Sequence, residues 1–164
     1  MIRARFEPDI EACVKALRLV HETDAYPSRW PDDPAAWLSP ARTIGAWIAV
    51  SRGTIVGHIA IGDVDRDADP HLIPEALAAG RHVCEIMRLF VVPSARRIGT
   101  GSSLIDAALG FARAARLHPV LEVSDDRAAA IDLYERSGWH RSATYPATWR
   151  RPTGERPLLH RYER

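Results

Sequence analysis

Apolar and polar positions alternate over Ile2 to Phe6, the pattern of a strand buried on one face. Pro8 then opens a helix with Ile10, Val14, Leu17 and Val20 on one apolar stripe. The stretch Tyr26 to Ser39 carries Tyr26, Pro27, Trp30, Pro31, Pro34 and Trp37. Within it, Asp33-Pro34 has the form of a cap and first turn of a short helix. Ala46 to Val50 and Thr54 to Ile61 read as strands joined by a turn at Ser51-Arg52-Gly53. Gly62 to His82 is a polar, irregular link, with one helical turn expected at Pro74 to Ala79. Val83 to Val92 reads as a long strand. Its last residues are apolar on both parities, which predicts a central position with both faces covered. A helical pattern runs from Ser102 to Leu109, and Leu121-Glu122-Val123 reads as a short strand. A helix over Ala128 to Arg136 closes at Ser137-Gly138 with Gly as C-cap. Strands near Trp139 to Tyr145 and Leu158 to Tyr162 complete the order β-α-α-β-β-β-α-β-α-β-β, an α/β pattern.

The chain has 164 residues, enough for one domain with its own core, and neither repeats nor a linker divide it. A single domain over 1–164 is expected. Hydrophobic residues make up 46% and charged residues 26%, the balance of a soluble protein. A net charge of +1 implies no polyanionic partner, so nucleic acid is not expected. No apolar run reaches membrane-spanning length and the start lacks a signal-peptide core, which predicts a cytoplasmic protein without a membrane partner. Cys13 and Cys84 make neither a disulfide framework nor a metal site and read as buried thiols; no metal is expected. Abundant arginine and alanine beside one lysine, Lys15, fit a high-GC bacterial genome. The arginine-rich tail from Arg141 reads as a solvated strand and loop. The C-terminal strands offer a surface for a homodimer.

The chemistry concentrates at Arg96-Arg97-Ile98-Gly99-Thr100-Gly101, between the apolar run Leu89-Phe90-Val91-Val92 and the helix from Ser102. Strand, glycine-bearing turn and helix leave free N–H groups at the helix start, and the helix dipole adds to their pull on phosphate. Gly99 and Gly101 allow close approach of a bulky ligand, and Arg96 and Arg97 add charge. A Walker A loop fails, because Ser102 rather than lysine follows Gly101. A dinucleotide fingerprint is weak, because Leu104 stands where a third small residue belongs. An ordinary strand-to-helix turn is the plain alternative.

The third glycine-rich pattern, Arg/Gln-x-x-Gly-x-Gly/Ala, fits at every fixed position through Arg96, Gly99 and Gly101. It resembles the pyrophosphate loop of the GNAT N-acetyltransferase family. A second GNAT signature, Asn-x-x-Ala-x-x-Leu-Tyr-x-x-x-Gly-Phe, is matched at Ala130, Leu133, Tyr134 and Gly138, with Trp139 in place of the final aromatic. The asparagine position holds Arg127 instead. The resemblance covers most of residues 83–140 and the flanks by element order. It implies a mixed twisted β-sheet, splayed at the central strand and flanked by helices. It implies transfer of an acetyl group from acetyl-CoA to a primary amine by direct attack on the thioester. That amine would belong to a small molecule, a protein N-terminus or a lysine. A non-catalytic acyl-CoA sensor on the same fold is the alternative.

The same resemblance assigns residues. The backbone of Phe90, Val91 and Val92 would meet the pantetheine arm, and the N–H groups from Arg97 through Ile98, Gly99, Thr100 and Gly101 to Ser102 the pyrophosphate. Arg127 would touch a phosphate or lie on the surface. Tyr134 would protonate the departing thiolate, against a packed-tyrosine reading. Glu85 would take the proton of the acceptor ammonium, against an ion pair with a neighbour such as Arg88. Asp63 and Asp65 are candidates for a water relay. His58, inside an apolar strand, reads as core. Tyr26 and Trp30 would wall the acceptor, while Trp37 leans to the core.

Overall fold

The computed structural model describes residues 1–64 and 79–164; Asp65 and the start of the helical turn expected at Pro74 lie outside them. Among the described residues, strands β1 (Ile2–Ala4), β2 (Thr43–Ser51), β3 (Thr54–Asp63), β4 (Val83–Val91), β5 (His118–Ser124), β6 (His140–Pro146) and β7 (Leu158–Glu163) form one sheet. Its order is β1-β2-β3-β4-β5-β7-β6. Only the β4–β5 pair is parallel; the others are antiparallel. The helices α1 (Ile10–Asp24), α2 (Pro34–Leu38), α3 (Thr100–Ala114) and α4 (Ala128–Arg136) flank it. The element order is the one expected from the sequence. The strands are longer than their apolar cores, because sheet pairing recruits polar flanks such as Thr43 and Ser124.

Helix α1 buries Cys13, Ala16, Leu17 and Val20, a spacing that puts them on one face. It ends at Ala25, whose left-handed φ of 51° turns the chain away while its N–H caps the His21 carbonyl. In α2, Pro34 follows the cap residue Asp33, whose carboxylate accepts the Ala36 N–H at 2.9 Å. Together α1 and α2 cover one face of the sheet over Ile48, Ile55, Phe90 and Val92. On the other face, Leu104, Ile105, Ala108 and Ala112 of α3 pack with Ile59, Ile61, Cys84, Ile86 and Leu121. Strand β4 therefore feeds both cores, as its apolar run on both parities required. Cys13 and Cys84 are buried free thiols, and burial pushes each up to about 11.

Two irregularities in β4 open the sheet. β4 pairs with β5 only from Val83 to Ile86, against His118 to Leu121. From Glu122 onward β5 is held by β7 alone, so the two parallel strands part and leave a cleft. On the opposite edge, the β3–β4 register shifts between His58 and Ala60. Arg88, at φ 57°, sits in that bulge.

Candidate active site

At the far end of β4 the chain makes a short turn at Pro93–Ala95 and enters α3 through Arg96 to Gly99. Gly99 has a φ of 85°, a conformation glycine adopts without strain. The first helical bond runs from Ser103 N–H to the Gly99 carbonyl. No side chain caps the helix, and the N–H groups of Thr100, Gly101 and Ser102 have no protein acceptor among the described residues. Arg97, Ile98 and Gly99 are exposed above them. Gly101 is the tight point: a Cβ there would lie 3.1 Å from Leu133 Cδ2 of α4. The opening of α3 is thus a row of unpartnered donors with the positive end of a helix dipole behind it.

The arginines around the cleft are placed differently from each other. Arg96 turns back: its Nε donates to the Val91 carbonyl at 2.9 Å, and its Nη atoms grip the Asp24 carboxylate at the end of α1. Arg97 points outward. Arg127, at the N-cap of α4, donates to the carbonyls of Asp24 (2.8 Å) and Ala25 (2.7 Å). Its side chain is therefore a tie between two segments. Within β4, Phe90 is buried, and the Val92 N–H is committed to the Val56 carbonyl at 2.9 Å. Val91 is left half-buried beside the cleft.

The other end of the cleft gathers side chains distant in sequence. Glu85 sits on β4 before the strands part, with a side chain 22% exposed. Its partner is Arg42, at 2.6 Å, rather than Arg88. Burial outweighs that guanidinium, so the Glu85 carboxyl stands above its ordinary value. Tyr26 meets Trp37 edge to face, with ring centroids 5.9 Å apart, and the Arg127 guanidinium lies 5.6 Å from the Tyr26 ring. Arg88, Arg127 and Glu85 all act electrostatically on the Tyr26 hydroxyl, whose proton is held chiefly by burial. Tyr134, on α4, is buried beside Trp139 and Tyr162. Burial, with a smaller contribution from Tyr26, raises its hydroxyl strongly. That hydroxyl has no hydrogen-bond partner among the described residues.

Trp30 and Trp37 line one pocket together with Arg29, Pro31 and Asp32. Trp30 carries the Arg18 guanidinium 3.6 Å from its ring centroid, with His21 beside it. Trp37 faces the cleft residues and carries the Arg88 guanidinium 3.9 Å from its ring centroid. Sequence reasoning named Arg88 only as a partner for Glu85. The signal was present: an arginine inside the apolar run Ile86-Met87-Arg88-Leu89-Phe90. His58 is fully buried core, stacked on Phe90. Its Nδ1 donates to the Arg88 carbonyl (2.9 Å) and its Nε2 accepts from Arg5 (2.8 Å), which fixes the tautomer. Asp63 ends β3 with an exposed side chain, and its carbonyl accepts from Arg42.

A central strand parting from its parallel neighbour, an uncapped helix start at one end and a buried carboxyl and tyrosine at the other define an acyltransfer fold. Comparison with known proteins agrees: residues 12–139 match the acetyltransferase (GNAT) family, and the chain belongs to that family. A mycothiol acetyltransferase of Geodermatophilus obscurus is 41% identical over 70 residues; the match spans 42% of this chain and 22% of that protein. Solved structures share the fold over nearly their whole length. A ribosomal-protein-alanine N-acetyltransferase from Brucella melitensis superposes with a TM-score of 0.75 at 20% identity, covering 100% of this chain and 98% of that one. Arabidopsis thaliana NAA60 in complex with acetyl-CoA gives 0.76 at 19%, covering 100% and 97%. Among the described residues no helix is long and apolar enough to cross a membrane.

Proposed function

We propose that this chain transfers an acetyl group from acetyl-CoA to a primary amine. The observation that carries the reading is the cleft itself, with anion-binding donors at one end and Glu85 and Tyr134 toward the other. The cleft suits an acetyl-CoA molecule. The N–H groups of Thr100, Gly101 and Ser102 and the Arg97 charge would hold the pyrophosphate, and the β4 edge near Phe90 and Val91 the pantetheine arm. When bound, acetyl-CoA supplies a thioester whose C–S bond breaks as the new C–N bond forms.

The chain's own residues manage the protons. An amine is mostly ammonium near neutral pH, and only its neutral form attacks. Glu85, its carboxyl raised by burial, accepts that proton. Tyr134, held protonated, donates its O–H proton to the departing sulfur. Nitrogen gives up two protons in all: the first passes through Glu85 to solvent, and the second, lost once the C–N bond has formed, replaces the one that Tyr134 gives to sulfur. Tyr26, Trp30 and Trp37 wall the acceptor. Arg127 acts through that corner by holding Asp24 and Ala25.

The test is CoA release from acetyl-CoA across a panel of amines. Tyr134→Phe is expected to lower kcat by about 10²–10⁴ while acetyl-CoA affinity holds. Glu85→Gln is expected to cost most near neutral pH, with a deficit that shrinks as rising pH frees the amine unaided. Binding of acetyl-CoA without release of CoA for any amine would make the protein an acyl-CoA sensor instead.

A further inference from the structure

The cations around the cleft are not equivalent. Arg42 is paired with Glu85, and Arg96 with Asp24. Arg127 is occupied by two carbonyls and by Asp126. Arg88 has no carboxylate partner among the described residues. Its one hydrogen bond runs from Nε to the Trp37 carbonyl at 3.0 Å. That bond and the stack on the Trp37 ring fix the plane of the guanidinium and leave the Nη edge without an acceptor. Arg88 is half-buried, and its Nη atoms keep contact with solvent. The backbone beneath is held as firmly: the bulge sets φ at 57°, and buried His58 anchors the Arg88 carbonyl.

An oriented, half-buried guanidinium with a free two-nitrogen edge is a receptor for a planar anion, since it matches a carboxylate through two parallel hydrogen bonds. Arg42 and Arg88 both act on the Glu85 carboxyl, as does Glu122, which is itself paired with Arg161. The pyrophosphate donors are backbone groups at the start of α3, beyond the end of β4, and are separate from this edge. Arg88 and Glu85 are three residues apart on one strand, at most about 10 Å between their Cα atoms. An acceptor whose amine meets Glu85 therefore carries its anion only a few bonds away. Resting on the transfer reading above, we infer that the acceptor is a small amino acid-like molecule whose carboxylate is bound by Arg88. A protein N-terminus, whose first carbonyl is an amide, lacks the group this edge is built to take.

The experiment compares the common L-amino acids and β-alanine with their primary amides and decarboxylated amines. It reads both CoA release and thermal stabilisation of the acetyl-CoA-loaded protein. The best amino acid is expected to exceed its own amide by about 10- to 100-fold in kcat/KM, the range of a charge-assisted bond. Arg88→Met is expected to erase that preference with acetyl-CoA stabilisation intact. If Arg88→Met does not fold, Arg88→Lys decides: it keeps the charge and loses the fork, so the preference shrinks in part. Amides that react and stabilise as well as the acids overturn the carboxylate site and leave acetyl transfer in place. Acids that stabilise through Arg88 without any CoA release overturn the transfer and leave the carboxylate site in place.

Discussion

The two ends of the cleft are built on opposite principles. The phosphate end is local: about seven consecutive residues, Arg96 to Ser102, form it with their own backbone, and its donors stay open to solvent. The amine end is assembled from afar. Tyr26, Trp37, Glu85, Arg88, Arg127 and Tyr134 come from three segments of the chain and are buried or half-buried. A backbone site needs only the right turn and the absence of side chains. A side-chain site needs a polar network in which every member fixes another. The first tolerates changes elsewhere in the fold, whereas the second fails with any of its supports.

Acid should separate the two ends most strongly, through His58. Burial holds its imidazole down to about 4, below the ordinary value of 6.5. The folded state therefore prefers the neutral ring. That preference contributes stability fully above the unfolded value and loses it as pH falls through about 4. The contribution is about 3 kcal/mol. Protonation puts a hydrogen on Nε2, where the Arg5 guanidinium already donates at 2.8 Å. Unfolding followed by circular dichroism between pH 7 and pH 4 should show the loss, and His58→Gln should flatten it, since an amide supplies one donor and one acceptor without titrating. An unchanged acid profile in His58→Gln would mean that the bulge under Arg88 does not depend on this ring.

The phosphate end has its own point of failure. At Gly101 a Cβ would approach Leu133 Cδ2 to 3.1 Å, and a branched side chain would also cover the neighbouring N–H groups. Acetyl-CoA at a hundredfold excess over Kd should stabilise the native chain by about 2.7 kcal/mol. Gly101→Val should abolish that gain. Gly101→Ala should fold with a smaller loss, because Leu133 can shift by a few tenths of an ångström. Full stabilisation of Gly101→Val by acetyl-CoA would remove this loop from the binding site.

The same contrast explains what was legible in the sequence. Element order, the central place of β4 and the buried thiols follow from periodicity and apolar runs, which reflect local propensity and burial. The turn at Gly99 to Gly101 is contiguous, so its spacing could be read directly. The amine end could not. Trp30 and Trp37 sit on the same aromatic, proline-rich segment, and only packing against α1 and β4 gives one the Arg18 guanidinium and the other that of Arg88. Glu85 has two arginines within reach, and the sheet, not the sequence spacing, chose Arg42. Arg88 owes its role to a bulge that requires β3 as a partner. Long-range pairing of this kind leaves no periodic signature.

Arg127 offers the smallest test and the one that joins the two ends. The second family signature has asparagine there, and a side chain at that helix start would ordinarily be assigned to the cofactor. Here the guanidinium grips the carbonyls of Asp24 and Ala25 and lies beside the Tyr26 ring. Arg96 holds the Asp24 carboxylate from the other side. The corner that carries Tyr26 is thus tied both to α4 and to the loop leading into α3. Arg127→Met keeps much of the bulk and removes the donors, for a cost of about 1 kcal/mol in stability. If the latch acts through the corner, the amine KM rises a few-fold and acetyl-CoA affinity stays constant, because the N–H groups that hold the pyrophosphate are untouched. If Arg127 instead reaches a phosphate in the loaded protein, acetyl-CoA affinity falls, its salt dependence weakens and the amine KM holds. The two outcomes differ in which ligand responds, so paired titrations of acetyl-CoA and amine on a single variant decide between them.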